Sequence, residues 1–236
     1  MDKLSQLYEG KAKKVFLTDD KDVLIVSYKD SATAFNGEKK GTITGKGTIN
    51  NRMSNYFFQI LEREGVPTHY IAELNDRETA VKRVEIVPLE VIVRNVAAGS
   101  FSKRLGVLEG KKLKEPTIEF SYKNDALGDP LINDSYAKAL EIATKEEIEK
   151  IKEYTFKINE VLKREFIKVG LKLIDFKIEF GRFHGDIILA DEISPDTCRL
   201  WDEKTNEKMD KDRFRRDLGG VEEAYQEVYR RIFGKE

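Results

Sequence analysis

Cysteine is almost absent from this chain: Cys198 is the only one in 236 residues. No intrachain disulfide can form, and the composition suits a reducing cytoplasm. Histidine is nearly as scarce, with only His69 and His184. One Cys and two His leave no basis for a structural zinc site or a Cys–His nucleophile. Net charge is missing too, since 42 Lys plus Arg against 43 Asp plus Glu give −1. That balance offers no electrostatic case for nucleic acid or a membrane surface as partner. The opening residues, MDKLSQLYEG, lack a hydrophobic stretch of signal-peptide length. Nowhere does a run approach the ~20 apolar residues of a membrane span. A cytoplasmic location is expected, and no internal repeat or low-complexity tract stands out.

What the chain has in plenty is charge of both signs, 36% of residues, against a usual ~25%. The length allows one large or two modest domains with a real core. Short β-branched and aromatic runs, KKVFLT and DVLIVSYK, flank the polar turn Asp19-Asp20-Lys21-Asp22 and read as strands. Residues 36–47 hold four glycines and are expected to be a mobile loop. A helix from about Thr48 to Glu64 follows, stopped by Gly65 and Pro67. YIAELND, TAVKRVEIVP and LEVIVRNV read as strands. The clearest helix runs from Thr144 to Val169. Thr144 and Glu147 open it as a capping box, and Ile148, Ile151, Thr155, Ile158, Leu162, Phe166 and Val169 form one buried face. A last helical region spans about Lys211 to Phe233, interrupted near Gly219-Gly220. Strands and helices mix without βαβα alternation, which argues for α+β and against a Rossmann fold.

The stretch LIDFKIEFGRFHGDIILADEISPD, Leu173 to Asp196, reads as a hairpin. Alternation puts Ile174, Phe176, Ile178 and Phe180 on a core face and Leu173, Asp175, Lys177 and Glu179 on the other. A three-residue loop Phe183-His184-Gly185 is expected, with Gly185 left-handed. It sets Lys177 roughly opposite Asp191 and places Asp191 beside Asp175, Lys177 and Glu179; a two-residue loop would flip Asp191 away. Glu179 and Asp191 then converge, and two close carboxylates call for a cation. Mg²⁺, which takes one or two carboxylates plus substrate phosphates, fits that demand. A solvated, salt-bridged β face fits the same residues, and the hairpin alone leaves both readings open.

Other segments offer seats for anions. VPLEVIVRNVAAGSFSKRLG, Val87 to Gly106, alternates core residues with Glu90 and Arg94. It ends in a Gly99-Ser100 turn opening a helix, a seat for phosphate that Arg94 can fork onto; Ser100 as a plain N-cap is the other reading. LYEGKAKKVF puts Lys11 and Lys13 on a ribbon able to close over a triphosphate. GTITGKGT resembles a Walker A loop but fails its spacing, and Gly47 follows Lys46 where Ser or Thr is needed. Asp125, Asp129 and Lys123 lie in the polar loop YKNDALGDP, Asp196 and Arg199 follow the hairpin, and Asp210, Lys211 and Arg215 stand near a helix start.

Together these segments resemble the phosphoribosylaminoimidazole-succinocarboxamide synthase (SAICAR synthetase) family of purine biosynthesis. IVPLEVIVRNVAAGS, Ile86 to Ser100, is similar to the family's P-x-E-x-x-x-R-x-x-x-A-G-S element, and LIDFKIEFG to its D-x-K-x-E-F-G element. YEGKAK, KND, DEISPD with RLWD, and MDKDRFR follow in the family's order, so the likeness spans about residues 7–231. The resemblance implies an α+β, ATP-grasp-like two-domain fold, mainly antiparallel sheets with flanking helices. Residues 1–83 would form a small β-rich wall of the ATP cleft, and residues 84–236 a larger α+β domain with the metal and substrate sites. It implies an ATP-dependent ligase that joins L-aspartate to 5-amino-1-(5-phospho-D-ribosyl)imidazole-4-carboxylate through an acyl phosphate, acting as a homodimer. Glu179 and Asp191 would hold Mg²⁺ on the ATP phosphates. Lys11, Ala12, Lys13, Lys82, Ile86 and Lys123 would contact the nucleotide, the 81–88 strand bordering adenine. Glu90, Asp175 and Lys177 would be the catalytic group orienting the imidazole and its carboxylate, and Arg94, Ser100 and Arg199 would seat the ribonucleotide phosphate. Asp129, Asp196, Lys211 and Arg215 would handle aspartate. A small-molecule kinase using the same cleft is the alternative, and a non-catalytic nucleotide-binding module a third reading.

Overall fold

A computed structural model describes residues 1–34 and 37–234. The expected N-terminal strands form as β1 (Lys3–Glu9), β2 (Lys13–Thr18) and β3 (Val23–Tyr28). Next come the short β4 (Ser31–Ala34) and β5 (Lys39–Thr42), which pair with each other. The helix α1 (Lys46–Arg63) then leads to β6 (Tyr70–Asn75) and β7 (Glu78–Lys82). Strands β1, β2, β3, β7 and β6, in that order, make one antiparallel sheet. The glycine-rich 36–47 stretch is therefore no structureless loop over its described part. Lys39–Thr42 pairs with Ser31–Ala34, and α1 begins at Lys46, earlier than its apolar periodicity indicates. The cause is tertiary: Ala32, Ile43, Ile49 and Tyr225 share a buried cluster that fastens this hairpin to the C-terminal helix.

The second sheet is built from β8 (Glu85–Ile86), β9 (Leu89–Val96), β10 (Lys112–Tyr122), β11 (Leu131–Ile132), β12 (Leu171–Phe183), β13 (Asp186–Ala190) and β14 (Cys198–Asp202). Its main path is β11-β10-β9-β12-β13, with β14 and β8 also paired to β12. All these pairings are antiparallel. The expected single strand over 81–88 is two, because the chain leaves the first sheet after Lys82 and enters the second at Glu85. The helices are α2 (Gly99–Leu105), α3 (Asp134–Ala139), α4 (Lys145–Lys168), α5 (Asp212–Arg215) and α6 (Val221–Phe233). Thr144 caps α4 in a complete capping box. Ile151, Ile158, Leu162 and Phe166 of α4 join Val91, Val93, Phe176 and Ile178 of the sheet in the main core. Each such side chain is worth ~1.5–3 kcal/mol relative to exposure. Met53, Phe57 and Leu61 of α1 belong to that same core, while Val15, Val26, Tyr28 and Val81 form a small core of the first sheet.

Two details of β12 differ from simple alternation. The β12–β14 register shifts between Leu173 and Asp175, a bulge that resets the phase. Leu173 accordingly joins the main core with Phe176, and Ile174 packs with Ala98 and Trp201 instead. The hairpin turn is also shorter than expected. Phe183 pairs with Asp186, leaving the two-residue loop His184-Gly185, both with positive φ (50° and 92°). Such a pair matches the strand twist of a tight hairpin. Glu179 therefore faces Ala190, not the position implied by a three-residue loop.

Candidate active site

Strand β12 is the spine of the site. Its pleat sends Asp175, Lys177 and Glu179 to one side, two residues apart. Glu90 and Arg94 of the neighbouring β9 share that side, with Arg94 directly across from Asp175. Continuing the β13 alternation past Ala190 would turn Asp191 away. Its backbone instead adopts a left-handed φ of 61°, and its carboxylate comes back to within 3.4 Å of Lys177 Nζ. Asp tolerates that region better than most residues, but the conformation still costs ~1–3 kcal/mol.

Lys177 is the hub of the first cluster. Its Nζ lies 2.7 Å from Glu179 Oε1, 3.3 Å from Glu90 Oε1 and 3.4 Å from Asp191 Oδ2. Lys123 reaches Glu179 Oε1 at 2.7 Å. Lys13 pairs with Asp191 and lies 3.1 Å from the buried Glu192. Burial alone would lower the pKa of Lys177, but the charges of Glu179, Asp191 and Glu90 hold it well above its ordinary value. Burial would likewise raise Asp191, yet Lys13 and Lys177 keep its carboxyl well below the usual range. Lys13, desolvated as well, is held up by Asp191 and Glu192. Among the described residues no three Asp, Glu, His or Cys form a ready metal cage. Glu179 and Asp191 nevertheless share one cation, the Lys177 ammonium. Two carboxylates around one positive charge is a donor set that suits Mg²⁺ carrying phosphates.

A second cluster adjoins the first through Asp175. Arg94 donates from Nη1 to Asp175 Oδ2 at 2.7 Å and from Nη2 to Ser100 Oγ at 3.2 Å. Arg199 donates from Nη1 to both Asp175 oxygens at 2.9 and 3.0 Å. Burial raises the Asp175 carboxyl, and Arg199 and Arg94 pull it back toward ionisation. Ser100 is not the N-cap of α2; Ala98 is. Its hydroxyl is thereby released to accept from Arg94 and Arg104. Gly99 has φ 54°, and a Cβ there would collide with the Arg199 guanidinium, so only glycine fits.

A third cluster centres on Asp196. Lys46 Nζ donates to its Oδ2 at 2.9 Å, Lys211 Nζ lies 3.4 Å away, and Tyr225 Oη donates to Oδ1. Arg215 reaches the Asp196 carbonyl at 3.4 Å. Lys211 and Lys46 hold the Asp196 carboxyl well below the usual range against the effect of burial.

The remaining expected residues stand apart from these clusters. Asp129 accepts from the Asn124 N–H at 2.8 Å and shapes its own loop. Lys82 donates to the Thr68 carbonyl at 2.9 Å. Ile86 pairs with Gly181 on the edge of β12. The Ala12 carbonyl accepts from Lys29 N–H at 2.8 Å. Lys11, at the tip of the β1–β2 turn, reaches Asp125 at 2.9 Å across to the second sheet. Lys46, Tyr225, Glu119, Glu192 and Asp212 are charged or polar partners of the clusters to which the sequence reading gave no role. Lys46 lay in the stretch read as a loop, and its burial shows only once α1 is packed. Two open concavities, about 990 and 590 Å³, lie elsewhere, lined among others by Arg52, Tyr229 and Phe233 and by Lys21, Arg83 and His184.

Comparison with known proteins agrees in every direction. The SAICAR synthetase family model matches residues 6–232. A phosphoribosylaminoimidazole-succinocarboxamide synthase of Lachnoclostridium phytofermentans is 72% identical over 232 residues, 98% of this chain and 99% of that protein. The enzyme of the same name from Clostridium acetobutylicum is 62% identical across 100% of both chains. Among solved structures, the synthase from Ehrlichia chaffeensis superposes with a TM-score of 0.95 at 47% identity, covering 97% of this chain and 98% of that one. A SAICAR synthetase in complex with ADP does so at 0.94 and 52%, covering 97% and 98%. With its ATP-grasp-like α+β architecture and its full-length likeness to these enzymes, the chain belongs to the SAICAR synthetase family.

Proposed function

We propose that this SAICAR synthetase joins L-aspartate to the carboxylate of 5-amino-1-(5-phospho-D-ribosyl)imidazole-4-carboxylate, giving the succinocarboxamide, ADP and phosphate by way of an acyl phosphate. A carboxylate is a poor electrophile, and oxide is a poor leaving group. If one carboxylate oxygen attacks the γ-phosphorus of ATP, ADP departs and the carbonyl carbon becomes attackable. The aspartate amine, having lost a proton, then attacks that carbon, and inorganic phosphate leaves. Phosphoryl transfer of this kind is chiefly positioning and charge neutralisation.

The observation that carries the reading is the Lys177 hub, with Glu90, Glu179 and Asp191 around one ammonium at 2.7–3.4 Å. ATP would enter between a wall formed by residues 1–83 and the larger unit of residues 84–236. Lys11, Lys13 and Lys123 would exchange their carboxylate partners for phosphate oxygens, with the backbone of Ala12, Lys82 and Ile86 along the nucleotide. Glu179 and Asp191 would hold Mg²⁺, which supplies charge neutralisation on the phosphates when bound. Lys177 would then turn to the substrate carboxylate, with Glu90 and Asp175 orienting the imidazole. Arg94, Ser100 and Arg199 seat the ribonucleotide phosphate, and Asp196, Lys211 and Arg215 receive aspartate. Asp129 is left to its loop. A homodimer in the cytoplasm is the proposed form, with no nucleic acid or membrane partner; sedimentation measures the assembly.

The test supplies ATP, magnesium, the ribonucleotide and labelled aspartate, then omits each in turn. ADP release should require all of them, and label should appear in an imidazole product. Label-free turnover would point to the small-molecule kinase. Glu179→Gln and Asp191→Asn should each lower kcat at least ~100-fold. Nucleotide binding with no ADP release, indifferent to both substitutions, would instead mark a non-catalytic nucleotide-binding module.

A further inference from the structure

The charges around Asp175 extend on both sides into one alternating chain: Arg104, Glu119, Arg94, Asp175, Arg199, Asp212, Arg215. Arg104 Nη2 lies 3.0 Å from Glu119. Arg94 meets Glu119 side-on, Nε to Oε1 and Nη2 to Oε2, both at 3.1 Å. Beyond Asp175, Arg199 Nε donates to Asp212 Oδ2 at 2.8 Å, and Arg215 Nη1 to Asp212 Oδ1 at 2.8 Å. Glu119 comes from β10 and Asp212 from α5, so the two acids approach from opposite ends of the cluster. Both are shielded, with side-chain exposures of 14% and 6%.

Arg94 and Arg199 are thus each gripped at two edges, by Asp175 on one and by an outer acid on the other. An arginine held this way cannot swing. What it leaves over is directional. Arg94 Nη1 has one N–H beyond its bond to Asp175. Arg199 Nη2 makes no hydrogen bond among the described residues and lies against Gly99.

We propose that Glu119 and Asp212 are positioning residues that hold Arg94 and Arg199 from behind, aim their unspent N–H groups at the Gly99-Ser100 turn, and so set the affinity for the ribonucleotide phosphate. The proposal rests on the ligase reading above and assigns to its phosphate seat two acids that never touch the substrate. It opposes a simple counter-charge role. If Glu119 only diluted positive potential, removing its charge would tighten phosphate binding; if it fixes Arg94, removal loosens it.

The experiment is steady-state kinetics of the full chain, varying the ribonucleotide, ATP and aspartate separately, for wild type, Glu119→Gln and Asp212→Asn. KM for the ribonucleotide should rise about tenfold in both variants, with kcat within about threefold and KM for ATP within about twofold, the pattern of lost ground-state binding. An unchanged KM for ATP shows that the fold is intact; should Asp212→Asn fail to fold, Glu119→Gln decides alone. A ribonucleotide KM that stays put or falls in Glu119→Gln, or a rise shared equally by all three substrates, overturns the proposal. Wild type that places no label in an imidazole product sinks the ligase reading itself. Active wild type with unaltered variants sinks only the positioning role.

Discussion

His69 shows how far burial, aided by a neighbouring charge, moves a single side chain. It is 6% exposed and meets the Phe58 ring edge-on at 5.1 Å. Desolvation, then the Lys13 charge, lower its pKa from 6.5 to about 3. Between those values the unfolded chain binds a proton that the folded chain refuses. Stability is therefore whole above pH 6.5 and declines as pH falls through the window, by up to ~1.4 kcal/mol per unit. Urea unfolding at pH 7 and pH 5 should show wild type losing up to ~2 kcal/mol more than His69→Gln. Equal losses would place the acid sensitivity elsewhere. At the same scale, Asp191 could be singled out from its chemistry but not from its backbone. Strand alternation says nothing of the left-handed φ that re-aims its carboxylate.

Among the elements, α4 was the most legible. Its apolar spacing and its Thr144–Glu147 box are local, and both are present: Glu147 N–H donates to Thr144 Oγ1 at 3.2 Å and Thr144 N–H to Glu147 Oε2 at 2.9 Å. The same Glu147 also holds Arg182 of β12 at 2.6 Å, so the cap ties the helix to the strand bearing the site. Thr144→Ala should cost ~1 kcal/mol. That is a fall in Tm of roughly 2–4 °C in a chain of this size, with kcat unchanged; differential scanning calorimetry reads it. What the sequence hid was hidden by long-range packing. The β4–β5 pairing depends on Tyr225, nearly two hundred residues away in α6. The bulge at Ile174 depends on β14, and the outer acids Glu119 and Asp212 meet their arginines only when β10 and α5 are in place. Residues on one strand, Asp175, Lys177 and Glu179, could be grouped by parity alone; partners from other elements could not.

At the scale of the molecule, Asp196 joins parts that are far apart in the chain. Lys46 opens α1, Tyr225 lies in α6, and both are fully buried against a loop that follows β13. Breaking a buried ion pair costs ~3–5 kcal/mol when a charge is left uncompensated. Lys211 and Tyr225 remain to Asp196, so Lys46→Met should lose ~3 kcal/mol, the low end. The urea midpoint should fall with an unchanged slope if the chain unfolds as one unit; a second transition would show that α6 comes away separately. Strand β12 has a wider consequence still. The seats proposed on it for ribonucleotide, carboxylate and metal fall on alternate residues, so they would be graduated at about 7 Å by the pitch of an extended chain. A single residue inserted between Asp175 and Glu179 would rotate the far half of that scale inside out, turning Glu179 into the apolar core and Phe180 onto the charged face. Loops that join the strands can change length without disturbing that spacing, while this one ribbon cannot.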